Sequence, residues 1–289
     1  MSRMLLLLAW LLLTGCEFHS VSALNADDEA ASRAGNVTAV ADYEAALTTL
    51  LADVVSREGL VDYDALRGPR NEDLRRVLKA IEDFDPTQLR TDAQKMAFWM
   101  NAYNVQMLQH IVEHPAVQNI VDDGLAGTFF QTPYRTAGLS MSLDDLENVI
   151  LRREDGPAPL VALRVDQLDP RLHVGLNCAA ISCPRLRQRA FTVATLEAEL
   201  ETAMRDFANG SAHFRAEGET VVLSSLLDWF GPDFDRPEAV AGDYLLSFMD
   251  SGRADYAALS ATLGGRSSAA LRNQPEVRYE YLWEVNAAP

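Results

Sequence analysis

From Asp92 to His114 the chain runs without a glycine or proline, and its apolar residues lie on nearly every side of the helix that this implies. Met96, Ala97, Phe98, Trp99, Met100, Tyr103, Val105, Met107, Leu108, Ile111 and Val112 point around most of the circumference, which suits a helix packed from all directions rather than one with a solvent face. Pro115 ends it, because its ring clashes with the preceding turn and it has no N–H to donate. The fold is therefore expected to grow around one buried helix.

The neighbouring segments supply its cover. From Tyr43 the spacing of Ala46, Leu47, Leu50, Leu51, Val54 and Val55 predicts an amphipathic helix with Gly59 as its C-cap. A second helix opens at Asn71, buries Leu74, Val77, Leu78, Ile81 and Phe84, and stops at Asp85-Pro86. Residues Thr128 to Ser140, with Phe129, Phe130 and Tyr134, read as a hairpin turning near Ala137-Gly138. A helix follows from Ser142, capped opposite Asp145. Arg171 to Cys178 reads as a buried strand, Thr195 to Phe207 as a helix closed by Asn209-Gly210, and His213 to Leu223 as a hairpin around Glu217-Gly218. Pro237 to Met249 is a further helix, and Val277, Tyr279, Tyr281 and Trp283 alternate as a final strand. The pattern shows no internal repeat and no regular β-α-β alternation. It predicts an α+β, helix-rich single domain with short antiparallel strands and hairpins over residues 39–289.

The amino-terminal part has another purpose. Leu5 to Leu13 is the strongly apolar run, far short of the ~20 residues of a membrane-spanning helix. After the short basic segment Met1-Ser2-Arg3, it reads as the apolar part of a signal peptide covering residues 1–15. Leu13-Thr14-Gly15-Cys16 resembles the bacterial lipobox, which makes Cys16 the expected lipidation site and the membrane a partner through that lipid. An ordinary secretory signal is the competing reading. Residues 16–38, rich in small and polar residues, read as a flexible tether. Glu17 stands where inner-membrane retention usually uses Asp, so the outer membrane is favoured for a periplasm-facing protein. Removing the leader takes away Arg3, leaving 24 basic against 42 acidic side chains, a formal charge of −18. Such a surface repels phosphate backbones and excludes nucleic acid as the expected partner.

Several stretches together resemble the family called domain of unknown function 547. They are Val61-Asp62-Tyr63, the run Ala97 to Asn104, Ser142 to Glu147 with Ile150-Leu151-Arg152, Asp169-Pro170-Arg171-Leu172-His173 leading through Cys178 to Cys183-Pro184, and the closing Tyr281 to Asn286. The resemblance spans about residues 60–286 and implies one compact domain without an assigned activity. Glu154 to Gln167 is longer here than the family pattern leads one to expect. The resemblance also puts Cys178 ahead of Cys183, because members of reducing compartments tend to keep the first of these cysteines.

Cys178 and Cys183, with four residues between them, are the cysteines that remain once Cys16 is lipidated. In an oxidising compartment they suit a disulfide. Alternatively one of them is a nucleophile, Cys178 at a strand end or Cys183 before Pro184 and beside Arg185 and Arg187, at an expected helix start that would lower its pKa. His173 is the nearest histidine in sequence and the expected base, but in a straight strand it would face away from Cys178 unless the chain bends at Gly175. Asn101 is the expected oxyanion donor, with Trp99, Tyr103, Asn104 and Arg171 lining a substrate pocket. Asn101 and Asn104 need partners in so apolar a helix, so backbone bonding is their competing role, as pairing with Asp169 is for Arg171. His110-Ile111-Val112-Glu113-His114 has the spacing of an inverted zinc motif, yet it sits on the last helical turn with no third ligand motif after it, so neither a metal nor a cofactor is expected. The expected substrate is a cell-envelope peptide or ester.

Overall fold

A computed structural model of the chain describes residues 41–121 and 129–289. The leader, Cys16 and the tether lie outside the described residues. Helix α1 (residues 41–54) is followed by α2 (Tyr63–Arg67), α3 (Asn71–Glu82) and α4 (Asp92–Glu113). α4 is the central helix that the apolar pattern predicts. Thr91 starts it with a reciprocal capping box, its side chain accepting from the Gln94 N–H while the Gln94 side chain accepts from the Thr91 N–H. From Met96 to Leu108 every residue is buried, so α4 presents no free face before its last turn. α2 and α3 pack on it.

α1 ends well before Gly59. That glycine, at φ +85°, instead closes the turn in which the Ser56 N–H donates to the Leu60 carbonyl, and a Cβ there would lie 2.8 Å from the Arg185 Cβ. The expected C-cap is thus a tight turn backed by another segment.

Strands β1 (Tyr134–Thr136) and β2 (Leu139–Met141) form the first hairpin, turned by Ala137 and Gly138 with both residues at positive φ. Ser142 and Asp145 cap each other as the sequence predicts, but the helix they start, Asp145–Leu151, is wound as a π-helix. The short α5 (Ala158–Val161) and α6 (Leu172–Gly175) precede the long α7 (Leu196–Asn209), which Gly210 caps.

The expected strand from Arg171 to Cys178 is corrected by α6. Asp169 accepts the Arg171 N–H at 2.9 Å, and the Leu172 and His173 N–H groups donate back to the carbonyls of Asp169 and Pro170, so the Asp-Pro pair starts a helical turn. A short apolar run carries no periodicity that could have distinguished the two.

β3 (Phe214–Glu217) and β4 (Thr220–Ser224) form the second hairpin. Helices α8 (Leu226–Trp229), α9 (Gly231–Phe234), α10 (Ala241–Leu246), α11 (Tyr256–Leu263) and α12 (Ser268–Arg272) then bring the chain back to β5 (Val277–Glu280), which pairs with β4 in parallel. The helix expected over Pro237 to Met249 shrinks to α10. Asp235 is the reason: its carboxylate accepts the Ala241 N–H and the Ser268 N–H and hydroxyl, which holds the intervening chain in a bend. The final strand likewise stops at Glu280. Residues 281–287 continue extended as single bridges, Asn119 to Glu284, Ala180 to Val285 and Val61 to Ala287.

Two apolar clusters result, one around α4 and one between α7, the three-stranded sheet and helices α8 to α12. Tyr281 packs against both. The candidate site lies around it.

Candidate active site

The loop after α6 is fixed from two sides. On one side Asn104 of α4 donates its amide to the Gly175 carbonyl at 2.9 Å and accepts the Asn177 N–H at 2.8 Å. Asn177 in turn donates to the Pro184 carbonyl and accepts the Ala179 N–H. On the other side the Ile181 and Ser182 N–H groups donate to the Glu284 and Leu282 carbonyls, and the Asn286 N–H donates to the Ala179 carbonyl. Between these anchors Ala179 takes φ +60°, a strained conformation for a residue with a Cβ, directly after Cys178.

This curl brings the two cysteines together as free thiols, with Sγ atoms 3.0 Å apart and the Cys178 N–H 2.9 Å from the Cys183 sulfur. The Tyr281 hydroxyl is 3.0 Å from the Cys178 sulfur. Hydrogen bonding from Cys183 lowers the Cys178 thiol pKa against the effect of burial, helped by Tyr281 and by the Ala180 N–H. Burial pushes Cys183 the other way, and the neighbouring Cys178 adds to it. Cys178 is thus the more acidic thiol of the pair. No helix starts at Pro184, and Arg185 and Arg187 turn to Asp206 and Glu199, so the helix-dipole reading of Cys183 is corrected.

Across the cavity stands a chain of acid and imidazole. His173 on α6 places Nε2 2.8 Å from Asp233 Oδ2 and Nδ1 3.9 Å from Glu147 Oε1, and its ring stacks on Phe230 at 4.3 Å. Burial keeps the imidazole neutral against the pull of Asp233. Burial also opposes ionisation of Asp233, but its bonds to His173 and to Arg152, whose Nε lies 2.6 Å away, prevail and hold its pKa low. Arg152 also bonds Asn148 and Glu154 and lies over Phe230. Glu147 is the odd member. Burial, then the nearby Cys178 and Asp144, push its pKa up to about 8 despite Arg152 and a bond from Tyr103. A carboxyl group poised near neutrality suits proton transfer. It projects from the π-helical segment, a winding frequent at functional sites.

Cys178, Cys183, Glu147, His173 and Tyr103 line one cavity of about 160 Å³, closed by the rings of Phe130, Trp229, Phe230, Tyr281 and Trp283. Of the residues expected from sequence, the structure thus brings Cys178, Cys183, His173 and Tyr103 together. His173 reaches the cavity because α6 replaces the strand, but its nitrogens face carboxylates, so Glu147 holds the position expected of the base.

The other four lie elsewhere. Asn101 spends its amide on the Phe191 carbonyl and Tyr43 hydroxyl and its oxygen on the Phe191 N–H, which corrects the oxyanion role to a structural one. Asn104 is the clamp described above, and Trp99 is wholly buried beside Phe98. Arg171 pairs with Asp169 and Glu197 at a separate surface groove. In the zinc-like motif, the His110 and His114 rings stack at 4.3 Å, and the His114 Nδ1 is bound to the His110 carbonyl.

Glu147, Asp233, Tyr281 and Trp229 carry the site without having been singled out. Glu147 and Tyr281 fall within the motif runs quoted above, whereas Asp233 lies in a four-residue helix with no sequence signal.

Residues 86–208 match the model of the family described as "Protein of unknown function, DUF547". The match takes in α4, Glu147, His173 and both cysteines, and leaves Asp233 and Tyr281 beyond its end. The chain matches no curated protein and no solved structure.

Proposed function

The chain carries a domain of the DUF547 family, and on that premise we propose that it is a thiol-dependent acyl or amide hydrolase or transferase, anchored as a lipoprotein through Cys16 on the periplasmic side of a membrane. The observation that carries this reading is the convergence of an acidified Cys178 thiol, a Glu147 carboxyl poised near neutral pH and the His173–Asp233 pair on one aromatic-walled cavity.

In the forward half-reaction the Cys178 thiolate attacks a carbonyl carbon and the Tyr281 hydroxyl donates to the oxygen as it gains charge. Protonated Glu147 delivers its proton to the departing amine or alcohol, and a thioester on Cys178 remains. In the second half, the Glu147 carboxylate takes a proton from water, or from an acceptor amine or alcohol. The resulting nucleophile attacks the thioester and the thiolate leaves. Neutral His173, held by its hydrogen bond to Asp233, stands beside Glu147 with Nδ1 3.9 Å from Oε1 and takes up no proton. Cell-envelope peptides and esters are the substrates within reach of an exported, tethered domain, and the outer membrane is favoured by Glu17.

A second reading takes the same two sulfurs as the halves of a structural disulfide in a non-catalytic envelope binding or scaffold lipoprotein. The 3.0 Å approach of Cys178 to Cys183 favours it. Labelling the full chain with an iodoacetamide probe, alongside Cys178→Ser and Cys183→Ser and with envelope extract as competitor, separates the two. The enzyme reading expects fast labelling that Cys178→Ser abolishes and extract suppresses. A quantitative Cys178–Cys183 bond resisting mild reduction would overturn it. Radiolabelled palmitate incorporation, lost in Cys16→Ser, checks the anchor.

A further inference from the structure

The cavity around Cys178 has an unbalanced lining. Two carboxyl side chains, Asp144 and Glu147, stand in it with the thiols, and among the described residues that line it there is no lysine or arginine. Arg152, which acts on Glu147, is committed to Asp233, Asn148 and Glu154. Burial raises the pKa of both, with Cys178 and then Asp144 adding to it at Glu147 against the pull of Arg152, and Asp145 adding to it at Asp144. Facing them are ring surfaces rather than polar groups: Trp229 and Trp283 stack at 5.3 Å, and Tyr281 lies against both, at 4.9 and 4.6 Å. Trp229 lines the cavity and is 41% exposed, so its side chain borders solvent as well as the cavity.

We propose that this cavity binds an ammonium group of its substrate, seated between the Asp144 carboxylate and the ring faces of Trp229 and Trp283. The proposal rests on the reading of the cavity as the reaction site and names the chemistry that site selects. Indole is the strongest of the aromatic faces for a cation, and a carboxylate across from it adds a charge partner of the right sign. A carboxylate or phosphate group placed at that same seat would meet Asp144 with no lysine or arginine to offset it, which excludes an anion from the seat itself. The ammonium group could belong to a peptide amino terminus or to an aminoalcohol headgroup, and both share this recognition.

Calorimetric titration of the detergent-solubilised full chain tests it, with choline against its neutral isostere 3,3-dimethylbutan-1-ol. Choline is expected to bind about tenfold tighter, and the isosteric Asp144→Asn variant to lose most of that preference. The preference should persist in Cys178→Ser. Equal binding of the two probes, no heat from choline at ~50 mM, or a preference untouched in Asp144→Asn overturns the proposal. Glycinamide binding tighter than glycerophosphoethanolamine would assign the ammonium to a peptide, and the reverse order to a lipid headgroup. Failure of the thiol mechanism reads differently: slow Cys178 labelling with the choline preference intact removes the nucleophile and leaves the ammonium site. Fast labelling with no preference does the opposite.

Discussion

Nε2 of His173 lies 2.8 Å from Oδ2 of Asp233, sixty residues further along the chain, and the same carboxylate oxygen is 2.6 Å from Arg152 Nε. One acid therefore holds an imidazole and a guanidinium at once, both largely out of water. Asp233→Asn keeps the shape but removes the charge that Arg152 needs. A loss of roughly 2–4 kcal/mol in unfolding free energy is expected from urea titration, since hydrogen bonds to buried charged groups are costly to weaken.

Glu147 sets a pH dependence of known sign. Its folded pKa of about 8 lies above its ordinary value of 4.5, so the stability tied to its protonated form is complete below about 4.5 and is lost as pH rises through 8. Urea midpoints measured across that window should fall with rising pH by the equivalent of a few kcal/mol, and Glu147→Gln should flatten the slope. A slope unchanged in that variant would show that Glu147 is not the titrating group.

Iodoacetamide alkylation of Cys178 should show its inflection below that of an ordinary cysteine, since Cys183, Tyr281 and the Ala180 N–H stabilise its thiolate. Tyr281→Phe removes one donor and should move the inflection upward while leaving the fold intact. An unmoved inflection would mean that the phenol does not act on the sulfur.

The 3.0 Å separation of the two thiols predicts ready crosslinking. Diamide accepts two electrons and two protons as the Cys178–Cys183 bond forms, so it should block labelling and dithiothreitol should restore it. Mass spectrometry would show the loss of two hydrogens. Persistent labelling after diamide would place the sulfurs further apart in solution.

Asn101 distinguishes a structural amide from a catalytic one. Asn101→Ala strands the Phe191 N–H and carbonyl in the core, for about 2–4 kcal/mol of lost stability, with Cys178 labelling unchanged at temperatures where the variant is folded. A labelling rate that fell with stability intact would restore the oxyanion role.

What was legible in the sequence follows from how locally each feature is determined. α4 was legible because twenty-odd residues repeat one apolar statement, and the capping pair Ser142/Asp145 and the turns at Gly138 and Gly218 were legible because a few adjacent residues suffice. α6 was not: the four residues Leu172 to Gly175 carry no period, and the Asx turn that precedes them competes with a strand of equal apolarity. The site itself was half legible. Cys178, Cys183 and His173 stand close in sequence and carry unusual chemistry, whereas Asp233, Trp229 and Tyr281 reach them only through folding. Asn101 and Asn104 advertised a need for partners, but the partners were backbone groups of segments 71 and 90 residues away.

Tyr281 touches the Cys178 sulfur across 103 residues, and the extended stretch that carries it is tied to Val61, Asn119 and Ala180 by single bridges. Such pairings close the longest loops and form only when most of the chain has already found its place. Until then both sulfurs are ordinary thiols without their phenol and without the curl at Ala179. The lowered pKa of Cys178 is thereby a property of the completed chain, written in no single stretch of it.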